Sequence, residues 1–120
     1  MKKKILVIGG TGFLGYHFLL RCKSLNWKAF SISKNKPAKT RKVRNVDYKI
    51  LDISKIKNLS KLKKENFNYV VNFGGYINHK NKTTTHNSHF LGVRNLYELL
   101  KNKKELECFI QIGSSAEYGI

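Results

Sequence analysis

The sequence predicts an α/β fold, a parallel sheet covered by helices on both faces. Three observations carry this prediction. Short β-branched runs alternate with stretches of helical periodicity. The runs are continuously apolar rather than alternating, as strands buried on both faces are. The first run passes directly into a glycine-rich loop, ILVIGGTGFLG, at Ile5–Gly15.

Each element can be justified in order. Lys3–Ile8 is a β-branched run ending at glycine, hence a buried strand. From Gly12 to Leu25, the residues Leu14, Phe18, Leu19, Cys22 and Leu25 fall on one helical face, with Arg21 and Lys23 off it. Ala29–Ser33 is a second strand, and Lys34–Arg44 is a loop holding six basic residues and the single proline. Tyr48–Leu51 is a third strand. Ile56, Leu59 and Leu62 then predict a helix over Ser54–Lys64, with Ser54 as its N-cap. Tyr69–Phe73 is a fourth strand, again running into glycines. Asn87–Asn102 carries Phe90, Leu91, Val93, Leu96, Leu99 and Leu100, a helix with a broad apolar side, and Cys108–Ile112 is a fifth strand.

Bulk properties narrow the classes. A chain of 120 residues with 41% hydrophobic content is long enough to bury a core. No apolar run approaches the ~18 residues of a membrane span. The Ile5–Ile8 run after Met-Lys-Lys-Lys is too short for a signal peptide, which needs about 7–15 apolar residues. A cytoplasmic protein without membrane contact is expected. Cys22 and Cys108 form neither a zinc spacing nor a disulfide framework, so two buried thiols in a reducing compartment are expected. The net charge is +17, and no acid precedes Asp47. This balance suits a polyanionic partner, whether nucleic acid, anionic lipid or a phosphorylated metabolite. It is equally the product of AT-rich coding DNA, which enriches Lys, Asn and Ile and leaves most lysines as solvated surface.

The loop pattern Gly9-x-x-Gly12-x-x-Gly15 lies between a predicted strand and a predicted helix, the context in which it carries meaning. The first glycine allows a tight turn, the second lets backbone approach a diphosphate, and the third lets the helix pack on the sheet. N–H groups and the dipole at the helix N-terminus then hold the anion. No Gly-Lys-Ser/Thr follows, so this is not a triphosphate loop. The expected architecture is therefore a Rossmann-type doubly wound parallel sheet of five strands, order 3-2-1-4-5. It forms one domain over 1–120, truncated after the last strand. In NAD-binding folds an acid about 20 residues on takes the ribose hydroxyls. Here the end of the second strand reads Ser31-Ile32-Ser33-Lys34. Ser33 and Lys34, with Lys36, Lys39 and Arg41 behind them, suit a 2′-phosphate, which favours NADP over NAD.

These residues resemble the extended short-chain dehydrogenases/reductases, also called the NAD-dependent epimerase/dehydratase family. IGGTGFLG is similar to that family's first loop, placing Gly9, Gly12, Phe13, Leu14 and Gly15 on the cofactor. Asp52-Ile53 resembles the Asp-apolar pair beside the adenine. VVNFGGYINH, residues 70–79, resembles the fourth-strand motif, whose small residues pass under the ribose; Phe73, Gly74 and Gly75 fall there. FLGVRNLYELL, residues 90–100, resembles the helix that opens with the family's Asn-x-x-Gly, with His89 in place of the Asn. FIQIGSSAEYG, residues 109–119, resembles the fifth-strand end carrying the catalytic Ser or Thr, here Ser114. The resemblance implies hydride transfer on a nucleotide sugar by an epimerase, dehydratase or reductase, and a homodimer is one assembly expected of the full-length protein. The family's acid/base pair, Tyr-x-x-x-Lys, lies after the serine. Tyr118 has no lysine four residues on, so the 120 residues alone are expected to be catalytically inactive. The resemblance also implies that a C-terminal substrate-binding region is absent from them.

Other constellations lead elsewhere. His79, His86 and His89 have no carboxylate or cysteine nearby, so metal binding is not expected. Ser114-Ser115 lacks a GxSxG elbow. Tyr16, Phe18 and Trp27 with flanking basic residues imitate a nucleic-acid surface, but helical spacing places them in the core or on a helix surface. Two further functions compete: a non-catalytic NADP-binding module that senses redox state or regulates a partner, and a basic nucleic-acid-binding domain on a Rossmann frame.

Overall fold

The computed structural model describes residues 2–52, 55–62, 64–73, 92 and 94–112. Five strands form one parallel sheet: β1 (Lys4–Ile8), β2 (Lys28–Ser33), β3 (Asp47–Ile50), β4 (Tyr69–Asn72) and β5 (Cys108–Gln111). Their order is β3-β2-β1-β4-β5, as the sequence predicts. Helix α1 (Phe13–Ser24) links β1 to β2, and α2 (residues 94–100) precedes β5.

Strand alternation divides the core in two. Leu6 and Ile8 of β1 pack with Phe30, Ile32, Leu59, Leu62, Phe67, Val70, Leu96 and Leu100 on the α2 face. Ile5 and Val7 pack with Leu19, Cys22, Ala29, Val43 and Val71 on the α1 face. β1 lies at the centre of the sheet, which is why its apolar run is unbroken.

The structure departs from the expected elements in four places. Ile56–Leu62 is a 3-10 helix rather than an α-helix. The apolar residues there recur every three positions, which suits the three-residue period of a 3-10 turn. The turn buries both Leu59 and Leu62. Leu14 and Leu25 are 60% and 45% exposed rather than buried. Leu14 sits in the first turn of α1 at the sheet's end, and Leu25 is the C-cap, so neither overlies a strand. The strands at the two edges are not buried on both faces: Ile50 of β3 and Ile110 of β5 are 48% and 45% exposed. For the same reason Cys108, at the start of β5, is exposed, and only Cys22 is a buried thiol. The Ser54 cap lies outside the described residues.

Candidate functional site

The strand order reverses between β1 and β4, and open α/β sheets bind ligands outside the C-terminal ends of their strands at such a point. The glycine loop leaves β1 there. Gly9 has φ 83°, a left-handed conformation that a side chain would strain, and its N–H donates to the Ile32 carbonyl at 2.9 Å. The chain turns back so that the Gly12 N–H donates to the Gly9 carbonyl at 3.2 Å. The Tyr16 N–H donates to Gly12 O at 2.9 Å, which starts α1.

The three pattern glycines are glycine for different reasons. A Cβ on Gly15 would overlap the Gly9 carbonyl oxygen and come within 2.6 Å of Gly10 Cα, so this glycine lets helix and loop touch. Gly12 has ordinary φ of −80°, and among the described residues a Cβ there would meet only Gly9 O, at 3.6 Å. The described residues leave room at Gly12, which is exposed at the N-cap of α1. Among the described residues no side chain caps that helix, and no acid stands in its first turn to offset the positive end of its dipole.

The other predicted residues arrive from adjacent strand ends. Phe13 and Leu14, in the first turn of α1, are 62% and 60% exposed. Ser33 closes β2, with a buried hydroxyl that has no partner among the described residues. Lys34 follows it, and its ammonium lies 3.8 Å from Asp52 Oδ2, at the exit of β3. Phe73 follows β4, its N–H donates to Ile8 O at 2.8 Å, and its ring packs on Phe18 with centroids 5.3 Å apart. Gly9, Gly12, Phe13, Leu14, Gly15, Ser33, Lys34, Asp52 and Phe73 therefore share one end of the sheet. Ile53, Gly74, Gly75, His89 and Ser114 lie outside the described residues.

Three supporting residues carry no role in the glycine pattern. Gly10 is buried, and a Cβ on it would strike the Ser31 hydroxyl and come within 2.8 Å of Leu19 Cδ1. Asn72, 1% exposed in β4, donates to Gln111 Oε1 of β5 at 2.7 Å. Gln111 in turn donates to Ile112 O at 3.0 Å. This pair ties the end of β4 to the end of β5. The available signal was a polar residue at the end of each apolar run.

Among the described residues no group of three potential metal ligands occurs, and no helix is long and apolar enough to cross a membrane.

The parallel sheet of order β3-β2-β1-β4-β5 with a glycine loop between β1 and α1 defines a Rossmann-like α/β fold. Residues 5–120 match the model of the NAD dependent epimerase/dehydratase family, and the chain belongs to that family. No curated protein matches the sequence. Solved structures with the same fold include an epimerase from Methanothermobacter thermautotrophicus, with a TM-score of 0.84 and 18% identity over 95% of this chain. The UDP-Glc/GlcNAc 4-epimerase of Campylobacter jejuni aligns with a TM-score of 0.84 and 22% identity over 98% of the chain. The Bordetella bronchiseptica enzyme WbmH, solved in complex with NAD+, aligns with a TM-score of 0.85 and 15% identity over all of it. The chain spans 36%, 39% and 42% of these proteins' lengths, respectively.

Two Tyr-x-x-x-Lys spacings precede Ser114, at Tyr76–Lys80 and Tyr97–Lys101. The first lies outside the described residues. In the second, Lys101 pairs with Glu98 at 2.8 Å and the Tyr97 ring packs on Phe109, away from the strand ends that hold the glycine loop.

Proposed function

We propose that this chain is the dinucleotide-binding part of a nucleotide-sugar epimerase, dehydratase or reductase, and that it binds NADP in preference to NAD. Gly12 carries the reading. The described residues leave space for a side chain there, yet the position is bare, exposed and at a helix N-terminus that none of their side chains caps. A diphosphate seated on the first turn of α1 supplies the missing reason. Phe13 and Leu14 flank it. Ser33 ends β2 next to Lys34, at the position from which the ribose is read. Lys34, in place of the acid that selects NAD, supports a 2′-phosphate. Asp52 and Phe73 border the adenine and ribose, together with Ile53, Gly74, Gly75 and His89 by their place in the motifs.

When bound, the nicotinamide supplies hydride transfer. Within these 120 residues the chain's own task is to bind and orient: α1 neutralises the diphosphate and the strand ends align the ribose. Ser114 is assigned the substrate hydrogen bond. Proton transfer at the substrate requires a phenol whose pKa is brought down by a nearby cation. No such pair follows Ser114 in residues 115–120, so we assign binding without turnover to these residues alone. Family membership, the buried thiol of Cys22 and the lack of a membrane-spanning helix among the described residues support a cytoplasmic location.

The test is a pair of titrations with NADPH and NADH on the wild-type chain and on Gly12→Val. Saturable binding, tighter for NADPH and lost in the variant with unchanged thermal unfolding, is expected. Equal binding by Gly12→Val would overturn the reading.

A further inference from the structure

We propose that a second site, in a basic cleft at the opposite end of the sheet, binds a small phosphorylated anion. The cleft has a volume of about 250 Å³, and its walls include Lys2, Lys23, Asn26, Trp27, Arg44 and Asn45. Three segments converge to form it: the residues before β1, the end of α1 and the approach to β3. Six residue steps of extended chain, from Lys3 to Gly9, separate it from the glycine loop by about 20 Å.

The concavity is built by two chain reversals. Asn26 and Asn45 both adopt left-handed backbone, with φ of 60° and 67°, a conformation asparagine tolerates better than most residues. Three of the last carbonyls of α1 are paired by backbone. Arg21, Lys23 and Cys22 carbonyls accept from the N–H groups of Leu25, Asn26 and Trp27 at 3.1, 3.0 and 3.0 Å. The end of the helix still carries the negative pole of its dipole, roughly half a charge, which the cations of the cleft outweigh.

The charge in the cleft is uncompensated. Lys3, Lys4, Lys34 and Lys101 each pair with a carboxylate, whereas Lys2, Lys23 and Arg44 have no ion pair among the described residues. No acid lines the walls. Lys28 also borders the cleft, but its ammonium lies 5.6 Å from the Phe30 ring centroid, so it is not counted. One guanidinium and two ammonium groups around one hollow suit phosphoryl oxygens. The volume is near the lower end of ligand pockets, about 300 Å³. A nucleic-acid strand needs cations spread along a track of several nucleotides, while these converge on one concavity.

The wall contains its own reporter. Trp27 is the only tryptophan, and it is held by stacking on Tyr69 with ring centroids 5.2 Å apart and planes 18° from parallel. We would titrate the chain with pyrophosphate and with AMP, reading Trp27 fluorescence, against sodium chloride at matched ionic strength. Half-saturation below about 1 mM is expected. The Lys23→Gln/Arg44→Gln double variant, altered only at exposed side chains, should weaken it by about tenfold or more. Gly12→Val should leave it unchanged. Three results would each overturn the proposal: no saturable change, a change that the double variant retains, or a change that Gly12→Val abolishes, which would assign it to the glycine loop. Saturation by a single-stranded oligonucleotide with no response to either small anion would also overturn it, in favour of a nucleic-acid surface.

Discussion

Lys34 and Asp52 meet across the open end of the sheet, the lysine ammonium 3.8 Å from the aspartate Oδ2. One stands just past the end of β2 and the other just past the end of β3. The lysine suits a 2′-phosphate, and the aspartate spends part of that positive charge. Replacing the carboxylate by an amide removes that opposing charge. Asp52→Asn should therefore shift the ratio of NADPH to NADH affinity toward NADPH by about twofold to fivefold, the scale of a partly exposed ion pair. Lys34→Ala should shift it the other way. Parallel titrations of both cofactors on each variant check this, and an unchanged ratio in both would remove the pair from cofactor selection.

The glycines should separate by what each substitution damages. Gly15→Ala forces a methyl group into the Gly9 carbonyl and the Gly10 backbone, which cannot rotate away. A loss of about 2–3 kcal/mol in stability is expected. Gly12→Ala stays within about 1 kcal/mol of wild type, the cost of a poorer N-cap, but loses dinucleotide binding. Urea unfolding beside a binding titration reads both. A large stability loss at Gly12 would contradict the space seen there.

Ser31 is 1% exposed, and its hydroxyl has no hydrogen-bond partner among the described residues. Burying such a group costs about 1–3 kcal/mol, so Ser31→Ala should stabilise the chain by about 1 kcal/mol. Chemical denaturation measures it directly. Destabilisation would mean that the hydroxyl has a partner.

The two thiols should react at different rates. Cys108 is exposed, whereas burial pushes the Cys22 thiol up from 9.0 to about 11. One cysteine should label quickly with a thiol reagent at neutral pH, and the second only on unfolding. The raised value also fixes a pH trend. The unfolded thiol ionises near its ordinary value and the folded one near 11, so the unfolded state holds fewer protons between them. Stability from this group is complete below pH 9 and falls as pH rises toward 11. Cys22→Ala should flatten that part of an unfolding-versus-pH curve.

Much of this fold was legible in the sequence because the signals were local. The apolar runs of β1 and β4 are central strands, so their composition alone marks them. The glycines at 9, 12 and 15 mark a strand-to-helix turn by spacing, and the alternation of strands and helices implies the parallel order. The sequence by itself also determined that no acid closes β2, since none precedes Asp47.

Tertiary structure decided what depends on neighbours distant in the chain. Edge position exposed Ile50, Ile110 and Cys108, because a strand's burial is set by what packs beside it and not by its own residues. A three-residue apolar spacing fits both α and 3-10 geometry, and docking on the sheet selected the latter for Ile56–Leu62. The Lys34–Asp52 pair joins residues from separate strand ends, and the basic cleft joins Lys2, Lys23 and Arg44. Coulomb interaction depends on distance in space, which sequence separation does not report. The distinction between Gly12 and Gly15 has the same origin: only the packed backbone shows which glycine the protein itself needs and which is left bare for a ligand.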